Sequence, residues 1–85
     1  MNHHEADVRG TIQISRLNEE MSLQLPEEED YDTLSGMIMR KLNEIPRIGK
    51  QLVVDNVELS ILAASRRAVE SVRVKVLDNE PGNSE

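Results

Sequence analysis

Cysteine, phenylalanine and tryptophan are absent from this 85-residue chain, and tyrosine occurs once, at Tyr31. Without thiols there is no thiolate nucleophile, no disulfide and no cysteine-based zinc site, a composition that suits a reducing compartment. Tyr31 alone cannot supply stacking platforms for bases, and the net charge of −6 opposes phosphate attraction, so no nucleic-acid partner is expected. No apolar run approaches the roughly 20 residues of a membrane-crossing helix. The start, MNHHEADVRG, lacks the apolar centre of a signal peptide, and no direct membrane insertion is expected.

What remains is an aliphatic chain for a single domain. A unit this small buries only about 60% of its unfolded surface, so Leu, Ile, Val, Met and Ala must fill a small interior. The charge is unevenly spread: acidic groups dominate residues 1–32 and 78–85, whereas residues 33–77 hold eight of the ten basic groups. Residues 1–7, including His3 and His4, read as a flexible linker, and a mobile His pair is a poor metal site. The tail DNEPGNSE, residues 78–85, offers nothing to bury and reads as disordered.

Between them, period-two alternation in GTIQIS predicts a first strand with Ile12 and Ile14 on one face. Ser15 is then placed to cap a short helix, RLNEEMSL. Pro26 ends any helix before Leu25, making the acidic run a connector. Leu34, Met37, Ile38, Leu42 and Ile45 carry the strongest helical period, with Asp32 as N-cap and Lys41 inside the apolar arc. KQLVV, VELSILAA and VESVRVKVL follow as a strand meander, with a tight turn at Asp55 and Asn56 and a bulge near Glu70 or Ser71. The fold class is therefore α+β, β-α-α-β-β-β: two layers, with both helices on one face of a mainly antiparallel sheet.

Motifs of catalysis are scarce. There is no glycine-rich phosphate loop, no nucleophile elbow and no helical His pair, and no enzyme is expected. Glu27, Glu28, Glu29, Asp30 and Asp32 offer hard oxygen ligands for Mg²⁺ or Ca²⁺, but their spacing matches no EF-hand loop. Carboxylates ahead of a helix also meet the positive pole of its dipole, which accounts for acidity there without a ligand. Arg66, Arg67 and Arg73 are the candidate anion contacts, set against an ordinary role as surface charge.

LNEEMSLQLPEEEDYDTLSGMI, then IPRIG, then RRAVESVRV, resembles the CorC/HlyC-type transporter-associated domain over residues 8–77. Asn56 stands where that family often has a turn Gly, and Leu59 where it often has Phe. The resemblance implies a fold like part of a PCMH-type FAD-binding domain. It also implies the C-terminal, non-catalytic accessory module of a bacterial membrane ion transporter, such as a magnesium and cobalt efflux or hemolysin-like CBS protein, on the cytoplasmic face of the inner membrane. Partners would be the parent's CBS pair and membrane domain, or a second copy in a homodimer. Outward apolar residues Val53, Leu62 and Leu77 are the candidate contact points. Alternatives are a sensor of a divalent cation or adenine nucleotide, and the C-terminal domain of a cation/proton antiporter. No resident cofactor is expected beyond weak Mg²⁺ contact, and no loop here cradles the phosphates of an adenine nucleotide or FAD.

Overall fold

The computed structural model describes residues 4–77, and the acidic tail from residue 78 onward and His3 lie outside them. Strand β1 spans His4–Arg9, helix α1 Ile14–Met21, helix α2 Leu34–Leu42, and strands β2, β3 and β4 span Gln51–Val54, Val57–Ala64 and Val69–Val76. The four strands form one antiparallel sheet in the order β1-β4-β3-β2. Strand β4 is thus central, and Val72 and Val74 are fully buried. Facing them are Leu34, Met37 and Ile38 of α2, Ile14 and Leu17 of α1, and Leu59 and Ile61 of β3, a single aliphatic core. Removing such a side chain from water contributes roughly 1.5 to 3 kcal/mol.

The first strand lies earlier than the sequence pattern indicates. Residues 4–7, read above as linker, pair along β4 from His4↔Val76 to Asp7↔Arg73. Their alternation is real, with Ala6 and Val8 half-buried and Glu5, Asp7 and Arg9 exposed, but its inward side chains are small. The GTIQIS segment is instead the turn into α1: Gly10 ends the strand and Ile14 begins the helix. The period that matters is Ile14, Leu17, Met21, which is helical. Gln13, not Ser15, occupies the N-cap position, and its side chain makes no cap bond.

Helix α2 starts with the free amides of Leu34, Ser35 and Gly36 all satisfied, as a buried helix end requires, and Met37 makes the first bond within the helix. Leu34 N–H donates to the Ile12 carbonyl at 2.9 Å, Ser35 N–H to the Gly10 carbonyl at 2.8 Å, and Met37 N–H to the Thr33 carbonyl at 3.0 Å. Gly36 N–H donates to Thr33 Oγ1 at 3.1 Å. Thr33 is therefore the N-cap in place of Asp32, whose carbonyl instead accepts from Ile14 N–H at 2.8 Å. Ser35 is buried, and its Oγ accepts from Val69 N–H at 2.9 Å, tying α2 to the first residue of β4. Gly10 is enclosed here: a Cβ on it would lie 2.0 Å from the Val69 carbonyl oxygen.

The β3-β4 register carries the bulge expected near Glu70. Ile61 opposes Val72 and Ala63 opposes Ser71, leaving Leu62 extra on β3; Ala64 then opposes Val69, leaving Glu70 extra on β4. This shift lets Val69 point inward with Val72. The β2-β3 turn uses Asp55 at φ 58, and Asn56 Nδ2 donates to the Leu77 carbonyl at 3.1 Å.

Candidate functional site

Two regions hold the candidate groups. The first is the connector between the helices, anchored by Asn18 of α1. Asn18 Oδ1 accepts from Leu25 N–H at 2.9 Å and Nδ2 donates to the Leu25 carbonyl at 3.0 Å. Nδ2 also lies 3.2 Å from Glu27 Oε2. Leu23 and Leu25 are pulled into the core, and Pro26 then accepts from the Tyr31 hydroxyl at 2.8 Å. The chain emerges from this anchoring as an exposed acidic loop.

Glu27, Glu28, Glu29 and Asp32 line a groove with Tyr31 and with Gln13, Ile14 and Ser15 at the start of α1. The acidic run therefore approaches the positive end of α1, as well as preceding α2 as the sequence indicates. Asp30 is turned away, and its Oδ2 lies 2.9 Å from Arg40 of α2. Among the described residues no three acidic or imidazole groups converge closely enough to hold a metal ion. Burial raises the Tyr31 phenol above its ordinary range, with Glu28 and then Asp30 adding to the effect.

The second region is the sheet face turned away from the helices, where charges alternate in ordered rows. Glu5, Lys75, Glu58 and Val53 lie side by side in one row, and Asp7, Arg73, Ser60 and Gln51 in the next. Arg73 Nε donates to Asp7 Oδ1 at 2.8 Å and Nη2 to Oδ2 at 3.1 Å, with Glu5 Oε2 3.8 Å from Nε. The hydrogen bond from Arg73 lowers the Asp7 carboxyl below its usual range. Gln51 Nε2 donates to Ser60 Oγ at 3.1 Å.

The three candidate arginines are thus divided. Arg73 lies mid-strand on this face in a fork with Asp7, whereas Arg66 and Arg67 are exposed in the β3-β4 turn. Lys41 is exposed at the end of α2, and Met39 and Leu42 pack against the core in its place. Of the outward apolar residues, Val53 is 57% exposed while Leu62 and Leu77 are half-buried; Ile48, which the sequence reading passed over, is 66% exposed. Asn18 was also missed as an anchor. Its signal is local: a polar residue one step from the buried Leu17 in a helix that ends just before two core leucines.

No described helix is long and apolar enough to cross a membrane. The magnesium and cobalt efflux protein CorC of Escherichia coli strain K12 is 27% identical over 81 residues, covering 95% of this chain and 27% of its own length. A hemolysin domain from Enterococcus faecalis V583 matches with a TM-score of 0.77 at 28% identity, over 87% of this chain and 89% of that one. The CorC/HlyC transporter-associated domain of a Xylella fastidiosa Temecula1 hemolysin, solved in complex with Mg²⁺ and Mn²⁺, matches with a TM-score of 0.75 at 22% identity, over 87% and 89%. The chain spans about a quarter of the length of the curated relatives it matches. With the transporter-associated domain model of CorC/HlyC matching residues 2–78, every residue of the fold just described, the chain belongs to that family.

Proposed function

We propose that this chain is a non-catalytic accessory module that regulates a bacterial ion-transport protein from the cytoplasmic side, through contact with the parent's other domains. The observation that carries this reading is proportion: the match covers almost the whole chain yet only about a quarter of the efflux proteins it resembles. A self-contained core within a much longer chain acts on the remainder by docking. Arg73, Arg40 and Ser35 are engaged within the fold, with Asp7, Asp30 and the Val69 N–H. Docking partners are the CBS pair and membrane domain, or a second copy, and the exposed edge residue Val53 is one apolar contact available for it. Sedimentation of the chain joined to the CBS pair by a flexible linker tests this. A compact particle, opened by Val53→Asp, is the expected result; free tumbling of the two parts at the high effective concentration of a linker overturns it.

A second reading, weak divalent-cation sensing, is favoured by the grouping of Glu27, Glu28, Glu29 and Asp32 around one groove and by the Mg²⁺ and Mn²⁺ of the Xylella relative. Asp30 is its least available ligand, being paired to Arg40. NMR titration with Mg²⁺ is its test: saturating shifts confined to residues 27–32 support it, and linear shifts through about 10 mM, weaker than known extracellular calcium modules, exclude it.

A further inference from the structure

One end of the sheet concentrates positive charge around an apolar tip. Lys50 N–H donates to the Arg47 carbonyl at 3.1 Å, closing a turn in which Gly49 takes φ 97 and Ile48 occupies the corner. Gly49 accommodates the left-handed conformation, and nothing lies within 4 Å of where its Cβ would stand, so the corner projects into open space. Ile48 is 66% exposed.

Ile61 N–H donates to the Lys50 carbonyl at 2.9 Å, which sets this turn beside β3 as that strand runs toward its end at Ala64. There the chain enters a second turn. Ser65 Oγ accepts from Arg67 N–H at 3.1 Å and from Ala68 N–H at 3.3 Å, fixing the loop with Arg66 and Arg67 exposed. Both turns therefore lie at the same end of adjacent strands. Neither contains a carboxylate, and among the described residues Arg47, Lys50, Arg66 and Arg67 form no ion pair, in contrast to Arg16, Arg40 and Arg73.

We infer that this end of the sheet is a peripheral contact for an anionic lipid surface, with Ile48 reaching the head-group and acyl boundary and the four cations meeting phosphate head groups. An acidic protein would match the charges, but it would need a dedicated pocket for Ile48. An anionic bilayer offers negative charge and apolar depth together to any convex tip. Each Lys or Arg near such a membrane strengthens binding by roughly fivefold. The net charge of −6 opposes approach in other orientations, so contact is directional. The inference rests on the proposed function only in that a parent chain holds the module close to a membrane, where weak contact suffices.

The experiment is NMR titration of the chain with vesicles of phosphatidylglycerol and phosphatidylcholine, against phosphatidylcholine alone, at about 10 mM salt, where the screening length is about 30 Å. Line broadening centred on residues 47–50 and 65–68, seen only with phosphatidylglycerol and abolished near 1 M salt, is the expected result. The double variant Arg66→Gln/Arg67→Gln should weaken the response by about 25-fold, two steps of the fivefold effect. Ile48→Ser should weaken it several-fold, and thermal unfolding confirms that both variants are folded. No response to phosphatidylglycerol, broadening centred elsewhere, or equal binding by the variants overturns the inference. So does an identical response to polyglutamate that Ile48→Ser leaves unchanged, which identifies an acidic protein partner instead. Domain docking is measured without lipid, so its failure is read separately.

Discussion

Asn18 and Leu25 are joined by a two-point clamp: the Asn18 amide accepts from Leu25 N–H at 2.9 Å and donates to the Leu25 carbonyl at 3.0 Å. This contact replaces the strand neighbour that the extended Leu25 lacks, and it lets a chain leaving α1 turn back and bury Leu23 and Leu25. Asn18→Ala should cost about 2 to 3 kcal/mol, because two partly buried backbone groups lose their partner. Asn18→Asp retains the acceptor but sets a carboxylate oxygen against the Leu25 carbonyl and the Glu27 carboxylate, and should be no more stable than Ala. Urea denaturation with unchanged m-values checks the order; equal stability of all three would mean that water replaces the clamp.

Gly10 and Ser35 form the second joint, where β1, α2 and β4 meet. Gly10→Ala places a methyl 2.0 Å from the Val69 carbonyl oxygen, and backbone cannot yield as a flexible side chain can. The expected outcome is loss of more than about 3 kcal/mol or failure to fold, in the class of severe steric insertions. Gly36→Ala, whose Cβ would meet Tyr31 Cβ at 3.0 Å, should cost less, because helix propensity offsets part of the crowding. Ser35→Ala removes the acceptor for the Val69 N–H and should cost about 1 to 3 kcal/mol. Thermal unfolding of the three variants should rank them Gly10→Ala first.

Much of this architecture is legible in the chain, and the parts that are not have identifiable causes. The stripe from Leu34 to Leu42 and the valine alternation of β4 are strong periodic signals, and both settle where their periods indicate. Even the bulge follows, since Val69 and Val72 can share a face only if a residue is added between them. Strand β1 was obscured because its inward residues are Ala6 and Val8, small beside Ile12 and Ile14, whose spacing of two imitates a strand across a turn. The capping position was ambiguous because Asp32 and Thr33 are both good caps, and the decision rests on a tertiary bond from Ile14 N–H. The pairing of Arg73 with Asp7 joins residues 66 positions apart, and no local pattern reports it.

That pairing gives an acid-side prediction. Arg73, through its hydrogen bond, holds the folded-state Asp7 carboxyl below the ordinary aspartate value of 3.8. A depressed folded pKa contributes stability that is present above the unfolded value and is lost as pH falls through the folded one. Both groups are exposed, so the effect on unfolding is small and the titration itself is the better reading. The Asp7 carboxyl carbon should titrate below 3.8 in the intact chain and return toward it in Arg73→Gln. An unchanged midpoint in that variant would show that solvent screens the fork.

Tyr31 gives the opposite sign at high pH. Burial, with Glu28 and Asp30 nearby, raises its folded-state pKa above 10.0, and its hydroxyl donates to the Pro26 carbonyl at 2.8 Å. Ionisation removes that donor and places an anion beside two carboxylates. A raised folded pKa means that the contribution is fully present below the unfolded value and is lost as pH rises through the folded one. Stability should therefore decline above about pH 10, the ordinary tyrosine value, more steeply than in Tyr31→Phe. At neutral pH that variant should lose about 1 kcal/mol for the missing hydrogen bond. Since the chain has a single tyrosine, its phenolate absorbance reports one group, and the folded and urea-unfolded titrations can be compared directly. The folded curve must lie to the alkaline side; coincident curves would mean that the phenol is solvated, and the connector would then be free of the Pro26 anchor.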